Sequence, residues 1–354
     1  KNYLLERLGF NMVLNLANKF EEYINQKYIG DSFFEKFSSI NASEVLKELK
    51  KESYDNEFEL WKQSYEKDLL SIKSSKDNFN ELVKVIKKNK IVPFIGSGLS
   101  VASGYKIWAS YLIELAKEIS KESEVLIFLK KAQYEEVAEF LSEQLGKENF
   151  NSKIDFKFAE NSKKPIGIIN ILPRITNGTI VTTNFDKLIE KVFSNHGKML
   201  TIVHGNEDKE FHRSFAKGDD YLLKLHGSVN DTNSRIFTKS EYESAYLDYS
   251  GNIDFQKPLP ENLSKIYKNA TLLFLGCSLE NDRTMQLFKT IIEQEEERKI
   301  PRHYAFLSSP EKSEDLIIKE KFLTEHMIFP IWYPKGEYEI LDNMIELLLY
   351  EVEN

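Results

Sequence analysis

Four short polar segments carry residue types that could do chemistry, and each follows a short apolar run. Gly96-Ser97-Gly98-Leu99-Ser100 follows residues 91–95, and Thr183-Asn184-Phe185-Asp186 follows 179–182. His226-Gly227-Ser228 follows 221–225, and Gly276-Cys277-Ser278-Leu279 follows 271–275. A glycine-serine turn lets backbone approach a phosphate closely, and a helix starting after it would add free N–H groups and a positive dipole end. The third glycine of the dinucleotide fingerprint is replaced by Val101, and no acidic residue closes a second strand about 20 residues on. The turn by itself reads equally well as a plain strand-to-helix connection. An asparagine amide has a donor and an acceptor face, and an aspartate can offset developing positive charge. Both types are also favoured helix caps. Histidine exchanges a proton near neutral pH, although a buried histidine is more often structural. Four such endings in succession exceed what capping alone would produce.

These residues need a scaffold that brings strand ends together. The continuous apolar runs at 91–95, 179–182, 200–203, 221–225, 271–275, 303–307 and 327–332 suit strands buried on both faces. Helical segments separate most of them, so a parallel sheet covered on both sides by helices is expected. Ligands then sit beyond the carboxyl ends of the strands, where all four polar segments fall.

Ahead of the sheet lies a helical preface over residues 1–75. Leu5, Leu8, Met12, Leu16 and Phe20 form one apolar stripe, and Phe58, Trp61, Tyr65, Leu69 and Ile72 another. Such stripes serve a packing layer or an oligomer interface alike. Helix stops are expected at Gly30-Asp31-Ser32 and a new start at Asn41-Ala42-Ser43. The remaining residues, 76–354, are expected to form the sheet domain, with a helical insertion over about 111–175 packed through Phe128, Leu129, Val137, Phe140, Leu141 and Leu145.

Composition narrows the function classes. With 48 Lys+Arg against 56 Asp+Glu, the net charge of −8 lacks the positive field of a non-specific nucleic-acid binder. Cys277 is the single cysteine, which rules out an intrachain disulfide and multi-cysteine zinc sites and points to a reducing, cytoplasmic setting. No run of about 18 apolar residues suggests a membrane span.

In order along the chain, 94–100, 104–108, 182–186, 224–228 and 275–279 followed by Asp282 resemble the motifs of sirtuin-like domains. The resemblance is to the sirtuin-like NAD hydrolases of bacterial antiphage defence, and extends over about residues 78–335. It implies a Rossmann-like α/β fold and NAD+ as substrate. It would place Gly96, Ser97, Gly98 and Ser100 on the NAD phosphates and ribose, with Trp108 and Thr183 as further binding residues. Asn184, Asp186 and His226 would surround the nicotinamide ribose, and Gly276, Cys277 and Ser278 would meet the adenosine half. Thr238 and Tyr242 fall in a further segment that resembles the family but has no assigned role.

Two departures shape the activity this resemblance implies. Protein-deacylating sirtuins carry a four-cysteine zinc ribbon, which one cysteine cannot build, and 104–108 reads Gly-Tyr-Lys-Ile-Trp where they carry a proline, aspartate, phenylalanine and arginine segment. Both favour cleavage of NAD+ by water, in which nicotinamide departs as a neutral molecule and the site must grip the ribose, stabilise a cation and place a water. The alternatives are a module that binds NAD or ADP-ribose without turnover, or a deacylase. No metal is expected: His204 and His212 lie in a polar loop without a cysteine or spaced acidic partner. A homo-oligomer is expected, with control through assembly or a partner such as a ring-forming ATPase.

Overall fold

The computed structural model describes residues 11–36, 41–88, 91–159, 163–176, 178–207, 220–280, 282–295 and 299–354. Leu5, Leu8 and His212 lie outside the described residues. The chain divides into two compact units, residues 1–87 with 308–310 and 331–354, and residues 88–307 with 311–330.

The first unit is mainly helical. Its helices run Asn11–Lys27, Ala42–Leu49, Lys51–Leu69, Ser75–Lys87 and Tyr338–Glu353. Asn41 caps the second by accepting the Glu44 N–H at 3.0 Å. The two apolar stripes meet each other: Phe20, fully buried, stacks edge-on against Phe58 at 5.1 Å and lies 5.4 Å from Trp61. The C-terminal helix closes the same layer, with Phe58 against Tyr350 and Lys19 paired to Glu346 at 2.9 Å. Packing within the chain thus accounts for much of both stripes, while Ile29, Leu49 and Leu60 stay exposed.

The seven expected strands are present as β1 (Ile91–Ile95), β2 (Ile180–Thr182), β3 (Thr201–His204), β4 (Tyr221–Lys224), β5 (Thr271–Leu275), β6 (His303–Ser308) and β7 (Ile328–Tyr333). They form one sheet in the order β3-β4-β2-β1-β5-β6-β7, and the pairs β1–β2, β1–β5, β2–β4, β3–β4 and β5–β6 are parallel. Helices between the strands make this the expected Rossmann-like α/β fold. The order reverses direction at β1, which lies between β2 and β5. The polar segments follow β4, β2, β1 and β5, four neighbours at that reversal, where such sheets bind ligands.

The 111–175 region is helical, with helices Trp108–Glu118, Glu122–Leu129, Tyr134–Leu145 and Lys147–Phe158. Val137 and Leu141 are fully buried, whereas Phe128, Leu129, Phe140 and Leu145 are half-buried. One local expectation fails. The glycine-serine turn opens a single 3-10 turn, Ser97–Ser100, and the next α-helix starts only at Trp108. No long helix dipole points out of that turn.

Candidate functional site

The β2 end is folded by its own threonine. Thr182 Oγ1 donates to the Ile95 carbonyl at 2.9 Å and accepts the Asn184 N–H at 3.0 Å, which turns the chain over the end of β1. Asn184 Nδ2 then donates to the Gly96 carbonyl and to Ser100 Oγ, both at 3.1 Å. The Ser100 hydroxyl in turn donates to Asp186 Oδ2 at 2.8 Å. All three side chains are buried. Asn184 Oδ1 is buried without a partner, so the acceptor face of this amide is the one left for a ligand. Thr183 is half-buried, its N–H held by the Ile95 carbonyl.

Asp186 serves two purposes. Its Oδ1 accepts the Leu188 N–H at 3.0 Å ahead of the helix Leu188–Asn195, whose N-cap is Lys187, while Oδ2 holds Ser100. Burial raises its carboxyl above the usual range, against the opposing pull of Lys224. Sequence reasoning passed over Lys224. This side chain is wholly buried, and its Nζ donates to the carbonyls of Asp186 (2.6 Å) and Phe185 (3.3 Å) and to Glu190 Oε1 (3.0 Å). A lysine in an otherwise apolar strand was the available signal.

The glycines are close-packed against one another. Gly96 N–H donates to the Leu275 carbonyl and Gly98 N–H to the Gly276 carbonyl, each at 2.9 Å. A Cβ on Gly96 would stand 2.5 Å, and one on Gly98 2.8 Å, from the Gly276 oxygen. Gly276 itself has φ +70°, and its Cβ would meet Leu99 N at 2.4 Å. Smallness here lets the loops after β1 and β5 touch, and the N–H groups of Gly96 and Gly98 are already engaged. Cys277 Sγ lies 3.6 Å from the Phe94 carbonyl, and burial pushes its thiol well up. Ser97 is half-buried, and Ser278 is exposed, with its carbonyl held by Lys319 at 3.2 Å.

His226 sits at the β4 end, nearly buried, with both ring nitrogens engaged. Nε2 is 2.9 Å from Tyr246 Oη and Nδ1 is 3.2 Å from Tyr242 Oη. Burial pushes its pKa down to about 3, below the near-neutral range expected of a general base. Tyr246 was missed, yet a signal existed: Thr238-x-x-Glu241 is a capping box, realised here at the start of the helix Lys239–Tyr246, and the two tyrosines stand four apart on one helical face.

Trp108 packs among Phe158, Phe185 and Phe237, with ring centres 4.6 to 5.1 Å apart, and is half-buried. His204 Nε2 is 3.0 Å from Ser228 Oγ, with Glu207 and Asp231 near Nδ1. Among the described residues no group of three His, Cys, Asp or Glu side chains could hold a metal ion, and no helix is long and apolar enough to cross a membrane.

The chain is 28% identical over 229 residues to the NAD(+) hydrolase ThsA of Acinetobacter baumannii (strain 532279), spanning 64% of this chain and 44% of that protein. It is 28% identical over 248 residues to the NAD(+) hydrolase ThsA of Bacillus cereus (strain MSX-D12), spanning 66% and 46%. A third NAD(+) hydrolase ThsA, from Cytobacillus dafuensis, is 33% identical over 122 residues, 33% of this chain and 23% of that protein. The chain therefore spans about half the length of the first two curated relatives. Residues 178–331 match the SIR2-like domain, a stretch that holds the ends of β2, β4 and β5. The strand order and the order of the motifs agree with this match to a SIR2-like domain over residues 178–331.

Proposed function

We propose that the protein is an NAD+ glycohydrolase, in which water adds to the ribose carbon as the bond to nicotinamide breaks, giving nicotinamide, ADP-ribose and a proton. The observation that carries this reading is the buried Asn184–Ser100–Asp186 chain at the sheet reversal, which leaves Asn184 Oδ1 as an unpaired acceptor. That oxygen suits a ribose hydroxyl or the attacking water. The Asp186 carboxyl lies behind it and can offset positive charge that builds on the ribose. The likeness to proteins named NAD(+) hydrolase supports the substrate. By resemblance, the activity would deplete NAD+ in antiphage defence, held in check by assembly of the helical unit.

A second reading, a module that binds NAD+ or ADP-ribose without turnover, is favoured by one observation. Both Asn184 amide hydrogens and both His226 nitrogens are already bonded within the protein, as in a rigid cradle. Incubating the chain with NAD+ and following nicotinamide by chromatography separates the two. Release that is lost in Asn184→Ala supports hydrolysis; ADP-ribose binding without release supports the module. Light scattering on the same sample reads the assembly state.

A further inference from the structure

We propose that Lys319 is a positioning residue for the loop after β5: by holding two of its carbonyls, it fixes the shape in which that loop meets a ligand. It rests on the NAD+ reading above only for what the ligand is.

Topology puts this loop at the binding rim. β5 lies beside β1 at the sheet reversal, and the loops at the carboxyl ends of such neighbours line the binding crevice. One side of the loop is anchored to the loop after β1, since the Gly276 carbonyl accepts the Gly98 N–H at 2.9 Å. Lys319 supplies the anchor on the other side. It stands on the helix Ser313–Thr324, which follows β6, the strand next to β5 in the sheet. Its Nζ donates to the Ser278 carbonyl at 3.2 Å and to the Leu279 carbonyl at 2.5 Å. An ammonium has three N–H groups and no acceptor, so it serves both oxygens at once.

The shape held in this way is one the chain does not adopt by preference. Gly276 has φ +70°, and Leu279, whose side chain is buried, has φ +49°. A left-handed leucine is uncommon and persists only where its surroundings hold it. Here its side chain is packed and its carbonyl is bound. Cys277 and Ser278 lie between the two left-handed positions. Ser278 is exposed, and with its carbonyl taken by Lys319 its hydroxyl and N–H bond to no other described residue. Those two groups are what the fixed loop offers to a ligand oxygen. Lys319 itself need not touch the ligand.

The single cysteine gives a probe of this loop that needs no substrate. Cys277 Sγ lies 3.6 Å from the Phe94 carbonyl and 3.7 Å from that of Leu275, so lifting of the loop exposes it. Lys319→Met should raise the rate at which a maleimide labels the intact chain by about fivefold or more, because access limits a packed thiol. Lys319→Gln should move the rate in the same direction, with Cys277→Ser as the unlabelled control. Labelling at the wild-type rate in both Lys319 variants overturns the proposal. In turnover, Lys319→Met should raise KM for NAD+ by about fivefold or more while kcat stays within about twofold of wild type, since binding is lost and the chemistry is spared. An unchanged KM, or a fall in kcat at unchanged KM, would also overturn it. A wild-type chain that releases no nicotinamide would sink the hydrolase reading alone, because the labelling rates are read without NAD+.

Discussion

The Ser100 hydroxyl donates to Asp186 Oδ2 at 2.8 Å, tying the loop after β1 to the loop after β2 across 86 positions of sequence. Ser100 Oγ also accepts from Asn184 Nδ2 at 3.1 Å. Ser100→Ala would leave one Asp186 oxygen and one Asn184 amide hydrogen unpaired in a buried site. A loss of about 1–3 kcal/mol is expected for such orphaned groups, together with most of the nicotinamide release. Urea denaturation reads the first quantity. A variant as stable as wild type would mean that the link contributes nothing.

Glycine substitutions at the rim should separate backbone strain from loop contact. Gly276→Ala combines φ +70° with a Cβ placed 2.4 Å from Leu99 N, whereas Gly30→Ala has φ +76° and no atom within 4 Å. The second should cost roughly 1–2 kcal/mol from backbone conformation alone, and the first clearly more, because the β1 and β5 loops must part. Thermal melts of the two variants give the comparison. Equal melting temperatures would contradict the close approach. For the same reason Gly98→Val probes loop packing against Gly276, and loss of NAD+ binding in it would not locate the phosphates.

Seven strands and the rim they share were legible because a strand buried on both faces leaves a continuous apolar run, and the polar segments directly follow four of those runs. Asn184 and Asp186 were readable as a pair from position alone. What joins them was not: Ser100 and Thr182 are separated from their partners by more than 80 residues, and only the parallel register of β1 against β2 brings them together. Glycine spacing likewise signalled close approach without saying to what. Period and spacing describe one segment, while the Gly98–Gly276 contact and the Lys224 bonds to the next loop depend on which strands are neighbours. The C-terminal helix joining the N-terminal helices is another pairing that no local pattern encodes.

Acid should weaken the fold through its buried histidines. Burial pushes both His226 and His303 down to about 3, against 6.5 for the ordinary side chain. Between those values the unfolded chain binds protons that the folded one refuses, so stability is full above pH 6.5 and declines as pH falls toward 3. From pH 7 to 5 each ring should contribute a loss of about 2 kcal/mol. Asp186, raised by burial, acts in the opposite sense: its protonated form favours the fold, and that contribution is lost as pH rises through its elevated value. Urea midpoints at pH 7 and 5 for wild type and His226→Gln read the effect. The variant should show a visibly shallower dependence, and an identical one would mean that His226 titrates normally.

Lys224 offers the sharpest test of how the β2 end is held. Its ammonium has no exposure, and it is bound by two backbone carbonyls and by Glu190, which keeps about a quarter of its side chain in solvent. Lys224→Met would keep the volume and remove the charge, stranding Glu190 Oε1 and the carbonyls of Phe185 and Asp186. Breaking a buried pair from one side costs about 3–5 kcal/mol, because the remaining charge stays desolvated; partial exposure of Glu190 favours the lower end. Glu190→Gln should be milder, since an amide oxygen still accepts from Nζ and the two carbonyl bonds remain. Because those carbonyls flank Asp186, Lys224→Met should also reduce nicotinamide release although Lys224 needs no contact with NAD+. Adding Glu190→Gln to Lys224→Met should then recover part of the lost stability by removing the stranded charge. Denaturation of the two single variants and the double variant completes the cycle. If the double variant is less stable than Lys224→Met, or if Lys224→Met matches wild type, then the lysine does not hold the turn in the manner described.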